Sequence, residues 1–233
     1  MKESFITTQN VARCREVCDE LADAQSRIGP SLAMITGRAG RGKTEFARHY
    51  ATNSSAVYVP PMNIRTPTML LREICFELAK VKPARTDACL DVIKDEMIKE
   101  RRVILIDEAD LLAISVLEMM RNVNERYACP VVLIGEEGLK GKINSRRRLA
   151  SRIRRHMEFS PVQQPDIHLF YSEALGLDIS AEITGMLHRS CGGDWRPLMT
   201  AAVAIERAMR SSGLEEISTG LVKTVLNGNG RHG

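Results

Sequence analysis

Leu32-Ala33-Met34-Ile35 leads through Thr36 into Gly37-Arg38-Ala39-Gly40-Arg41-Gly42-Lys43-Thr44, and Glu45 to Ala51 then reads as helix. An apolar run, a glycine loop closed by Lys-Thr and a helix form the pattern of a phosphate-binding loop. The strand delivers the chain. Glycines let the backbone fold until its N–H groups converge on anionic oxygens, and the positive end of the helix points at the same place. In that pattern Lys43 would reach the β- and γ-phosphates of a nucleotide, and the Thr44 hydroxyl would coordinate Mg²⁺.

Val103-Ile104-Leu105-Ile106-Asp107-Glu108 is the second decisive stretch. A β-branched apolar run ending in two carboxylates reads as a buried parallel strand with acids at its carboxyl end. Open α/β sheets bind their ligands at that edge. Asp107 would hold Mg²⁺ through water, and Glu108 would orient and deprotonate the water attacking the γ-phosphate.

The rest of the chain fits an α/β arrangement. Val11, Cys14, Cys18 and Leu21 make a helical stripe within Thr8 to Gln25, with Thr7 and Thr8 as candidate caps, ended by Gly29-Pro30. Ala56 to Val59 is a second strand, closed by Pro60-Pro61. Pro67 suits the first turn of a helix running to about Val81, and another helix covers Thr86 to Glu100. Leu111 to Tyr127 reads as helix, Pro130 to Gly135 as strand, Arg146 to Arg155 as a short helix and turn, and His156 to Phe159 as a last strand. Alternating strands and helices predict a parallel, helix-covered sheet. After Ser160-Pro161 the strand signal disappears, and four helices, near 166–175, 179–190, 194–211 and 218–226, are separated by glycines. The expected organisation is a lead-in helix over 1–30, a nucleotide-binding α/β domain over 31–161, a helical lid over 162–228 and a flexible tail over 229–233.

The apolar fraction of 44% in 233 residues suits a globular core. Apolar runs fall short of a membrane span and the start lacks the apolar core of a signal peptide, so the expected location is the cytoplasm, with no membrane partner. Six cysteines are scattered without metal-ligand spacing and read as small buried apolar residues. The net charge is only +4, but Lys140, Lys142, Arg146, Arg147, Arg148, Arg152, Arg154 and Arg155 follow one another without an intervening acid. A block of this density binds phosphates, either on nucleic acid or at a neighbouring subunit's nucleotide.

Phosphate loop, D-E strand, Ser151-Arg152 before the last strand and Gly193-Asp194-Trp195-Arg196 in a helical lid together resemble the AAA+ ATPases, over nearly the whole chain. The opening Phe5-Ile6-Thr7-Thr8-Gln9-Asn10-Val11 and the phrase Ile35 to Thr44 look more closely like the Mu B group of phage transposition ATPases. The resemblance implies an AAA+ P-loop fold with a small all-α lid, ATP and Mg²⁺ as ligands, and a phage or mobile-element protein acting in a bacterial host. Gly37 to Thr44 with Glu45 would hold the nucleotide, with Gln9 and Asn10 matching the segment along the adenine. Arg196 matches the lid arginine that senses the γ-phosphate, and Arg152 matches the finger supplied to a neighbour's ATP, with Arg148 as the alternative. Where the family often places Asn, Thr or Ser at the end of the third core strand, this chain has Gly135-Glu136-Glu137, and an ionised acid cannot donate a hydrogen bond.

A finger acting in trans implies a homo-oligomer, as a helical filament or a ring. The function so implied is an ATP-dependent, largely sequence-nonspecific ATPase that assembles on target duplex DNA, delivers it to a transposase and disassembles on hydrolysis. Arg65, Thr66, Lys140, Lys142, Arg146 and Arg147 are the candidate DNA contacts, each modest and multiplied by the array. The alternatives are a helicase-loader or replication-initiator ATPase and a nucleotide-dependent protein scaffold. Few aromatics are available as a stacking platform for single strands.

Overall fold

The computed structural model describes residues 5–23, 29–61 and 63–229. The expected helix end near Gln25 and the last residues of the expected tail lie outside them. By contacts the chain forms two compact units: Val11–Arg38 with Lys43–Phe159, and Met1–Asn10 with Ala39–Gly42 and Ser160–Gly233.

The first unit is built on five parallel strands: β1 (Leu32–Thr36), β2 (Val57–Val59), β3 (Ile104–Ile106), β4 (Val131–Gly135) and β5 (Ile153–Glu158), in the order β2-β3-β4-β1-β5. Around them lie α1 (Gln9–Ala22), α2 (Lys43–Thr52), α3 (Pro67–Ala79), α4 (Thr86–Lys99), α5 (Ile114–Tyr127), α6 (Gly138–Asn144) and α7 (Arg147–Ala150). Parallel strands need crossovers, and the crossover helices cover the sheet, so β1, β3 and β4 are buried at every position. Leu70, Leu71 and Ile74 of α3, Ile93 of α4 and Val116, Leu117 and Met120 of α5 belong to the same core as the strand residues Leu32, Ile104 and Leu133. Each such burial stabilises by about 1.5–3 kcal/mol.

Local chemistry sets the element ends. Thr66 accepts the Met69 N–H at 3.3 Å as N-cap of α3 and Pro67 follows at the first position, where a missing N–H costs nothing. Arg101 closes the end of α1 by donating to the carbonyls of Leu21, Ala22 and Asp23.

The structure departs from the sequence reading at two elements and adds a third, α6, where the sequence reading assigned none. The stretch read as one helix from Leu111 is a 3-10 turn, Ala109–Leu111, then extended Leu112 and Ala113, then α5. Gly138–Asn144 forms α6 despite two glycines, because Leu139 and Ile143, four apart, are both buried. The last strand starts at Ile153, three residues early. Arg154 and Arg155 have weak strand propensity, but here they occupy a sheet edge, where charge is tolerated, and both pair with Glu20 of α1.

The second unit's elements are α8 (Gln164–Phe170) continued by a π-helical turn (Tyr171–Leu175), α9 (Ala181–Cys191), α10 (Trp195–Ser212) and α11 (Thr219–Asn229). They enclose their own core of Ile167, Phe170, Tyr171, Ile183, Leu187, Leu198 and Ile205. The expected class, a P-loop-type parallel sheet followed by a small all-α unit, is the one observed. All six cysteines are free and buried. Among the described residues no helix is long and apolar enough to cross a membrane.

Candidate nucleotide-binding site

β1 is the strand between β4 and β5, and the glycine loop leaves its carboxyl end. Gly40 and Gly42 adopt φ of +80° and +95°, which side chains disfavour, and the chain enters α2 at Lys43. Lys43 is buried, and its ammonium donates to the carbonyls of Gly37 at 2.6 Å and Arg38 at 2.8 Å. Thr44 is half-buried in the first turn of α2, and Glu45 is exposed beside it. Arg38 and Ala39 are exposed, whereas Arg41 is buried.

Within the helical unit the loop tip is tied down. Arg41 Nε lies 2.8 Å from Asp194 Oδ1, and the Gly40 carbonyl accepts the Trp195 N–H at 2.8 Å. The ion pair is off-line, so neither Arg41 Nε nor Asp194 Oδ1 makes an aligned hydrogen bond. Arg41 could therefore meet a phosphate through its backbone while its side chain serves Asp194.

β3 ends at Ile106, and its two acids have opposite environments. Asp107 is 4% exposed, accepting the Glu108 N–H at 2.9 Å on Oδ1 and the Tyr58 hydroxyl at 3.0 Å on Oδ2. Tyr58 comes from β2, paired with β3 at Leu105. Burial first, then the neighbouring Asp107 carboxylate, pushes the phenol up to about 12, so it remains a donor at neutral pH. Glu108 is exposed and left-handed, with φ 49° and ψ 37°, a conformation rare for residues other than glycine. Desolvation, then Asp107, Asp110 and Glu136, raises its carboxyl above the usual range. One acid is thus held rigidly while the other carries a proton-hungry carboxylate at the surface, a division suited to metal binding and to base chemistry respectively.

Among the other predicted residues, Gln9 is exposed at the start of α1, and Asn10 is buried with its amide on Ser160, donating to its carbonyl at 2.9 Å and accepting its N–H at 3.1 Å. Arg196 is exposed in the first turn of α10, with no ion pair among the described residues. Arg152 pairs with Glu125 at 2.5 Å, while Arg148 is exposed. Lys140, Arg146 and Arg147 are exposed, but Lys142 donates to the carbonyls of Asp110 and Leu112. Arg65 donates to the Asn63 side chain at 3.2 Å, and the Thr66 hydroxyl is committed to capping α3. Sequence reasoning missed Tyr58, Asp110 and the partnership of Asp194 with Arg41. Asp110 carried a readable signal as the last residue of Asp107-Glu108-Ala109-Asp110.

A glycine loop leaving β1 and an acid pair closing β3, with β4 between these strands, define a P-loop protein of the AAA type. The model for the AAA domain family matches residues 27–143, and the chain belongs to that family. The expected resemblance to the Mu B group is borne out by relatives. The chain is 27% identical over 70% of its length to the ATP-dependent target DNA activator B of Escherichia phage Mu, and 27% identical over 77% to the Mu-like prophage FluMu DNA transposition protein B of Haemophilus influenzae. It is also 29% identical over 61% of its length to general secretion pathway protein A of Aeromonas hydrophila. The matches span 54%, 64% and 29% of those proteins respectively. Among solved structures, Cdc6p from Pyrobaculum aerophilum matches 96% of the chain and 69% of its own, with TM-score 0.68 and 18% identity, a likeness of fold.

Proposed function

We propose that this chain is an ATPase that assembles as a homo-oligomer on duplex DNA and delivers that DNA to a transposase, with hydrolysis driving disassembly. The observation that carries the reading is the Asp107-Glu108 turn. A rigid buried acid and an exposed carboxylate of raised proton affinity stand at the carboxyl end of a parallel sheet that also bears the glycine loop.

Residues 37–45 would hold ATP, chiefly through backbone N–H groups, with the Lys43 ammonium moving from loop carbonyls to phosphate. Thr44 and Asp107 would hold Mg²⁺, which neutralises phosphate charge when bound. One hydroxyl and one carboxylate suit an ion that keeps most of its waters. Glu108 would accept the proton of the attacking water. Arg196 would sense the γ-phosphate, with Gln9 and Asn10 near the base. Arg152 would act on a neighbour's nucleotide after leaving Glu125, and Arg148, exposed already, is the alternative finger. Duplex DNA would meet Arg65, Thr66, Lys140, Arg146 and Arg147, while the Lys142 ammonium stays on its carbonyls. The names of the Mu and FluMu relatives support transposition as the setting, and the chain would act in the cytoplasm of a bacterial host.

The test is negative-stain electron microscopy of the chain with duplex DNA under ATP, ADP or no nucleotide and Mg²⁺ throughout, alongside phosphate release. ATP-dependent assemblies on duplex, persisting longer in Glu108→Gln as phosphate release stops, support the proposal. Rings without DNA would favour a loader or scaffold. Absence of phosphate release from the wild-type chain, alone and with DNA, would refute the ATPase reading.

A further inference from the structure

Glu108 is held in a left-handed conformation that residues other than glycine rarely adopt, so the surroundings must impose it. Two anchors sit on the turn that follows. Asp110 Oδ1 accepts the Glu136 N–H at 2.9 Å, which fastens the turn to the end of β4. Lys142 of α6 donates to the carbonyls of Asp110 and Leu112, a second tie on the same turn. Inside the turn, the Leu111 N–H reaches the Glu108 carbonyl at 2.9 Å.

The closeness of this fit explains the glycine at the end of β4. A Cβ on Gly135 would stand 2.4 Å from Asp110 Oδ1 and 3.1 Å from both the Asp110 nitrogen and Leu139 Cδ2. A side chain at 135 and the Asp110 anchor exclude one another. The backbone N–H one residue after Gly135 is spent on holding the acid turn.

We infer that Asp110, seconded by Lys142, is a positioning residue for hydrolysis: it couples the Glu108 turn to the end of β4 so that the carboxylate is presented to the attacking water. The inference rests on the ATPase reading above. Asp110 would act through the Glu108 turn that it holds.

Steady-state phosphate release by the chain with Mg²⁺ and duplex DNA tests it, alongside binding of a fluorescent ADP analogue. Asp110→Ala is expected to lower kcat at least about tenfold while the analogue's Kd stays within about twofold. Asp110→Asn, which keeps the acceptor oxygen, is expected to recover most of kcat. Lys142→Met, which removes the ammonium and keeps the aliphatic stem, is expected to lower kcat alone by a smaller factor, and supplies the test should Asp110→Ala fail to fold. Unchanged kcat in Asp110→Ala and Lys142→Met, joint loss of kcat and ADP binding, or an Asn variant no better than Ala would overturn the inference. A wild-type chain without turnover would instead sink the ATPase reading.

Discussion

Asp194→Ala strands a buried charge. Arg41 has 6% of its side chain exposed and faces Asp194 across 2.8 Å, whereas Asp194 keeps 25% of its side chain in water. Removing one partner of a buried pair costs about 3–5 kcal/mol, chiefly as the desolvation penalty of the charge left behind. The partial hydration of Asp194 and the off-line contact place the expected loss at the low end, about 3 kcal/mol. In a chain of this size that lowers the midpoint of thermal unfolding by roughly 6–12 °C. The companion variant Arg41→Met/Asp194→Leu removes both charges and should lie closer to wild type than Asp194→Ala does. Differential scanning calorimetry on the two variants checks this. Wild-type stability in Asp194→Ala, or a double variant less stable than the single one, would show that the loop tip is not held by this pair.

Two further outcomes are expected. Tyr58→Phe removes the hydroxyl that donates to Asp107 at 3.0 Å, so the Mg²⁺ concentration for half-maximal phosphate release should rise severalfold with little change in unfolding temperature; an unchanged Mg²⁺ dependence would count against an oriented Asp107. The Glu108 carboxyl is raised in the folded chain, so the folded state binds its proton more tightly than the unfolded state does. Its stabilising contribution is present below the unfolded pKa and is lost as pH rises through the folded one. Glu108→Gln should therefore match wild type in acid and exceed it in stability near neutral pH, as read by urea unfolding at both pH values; equal stability at neutral pH would contradict the raised carboxyl.

The exposed ends of the basic block divide in the folded chain in a way that charge alone could not indicate. Arg152, Arg154 and Arg155 meet Glu125 and Glu20, far away in sequence, and Lys142 meets main-chain carbonyls. Lys140, Arg146, Arg147 and Arg148 are exposed, with no ion pair among the described residues. Likewise α6 and the early start of β5 depended on burial of Leu139 and Ile143 and on the partners of Arg154 and Arg155, which local propensity does not contain.

The fold class, the glycine loop and the acid-terminated strand are legible along the chain alone, because these rest on short-range rules. Apolar period, glycine spacing and an acid after a β-branched run are legible wherever neighbours in the chain are neighbours in space. That Tyr58 holds Asp107, that Asp194 faces Arg41 and that Asp110 ties the Glu108 turn to β4 emerges in the folded chain and nowhere earlier. Those contacts join positions 49, 153 and 26 residues apart, and the packing of the folded chain brings each pair together.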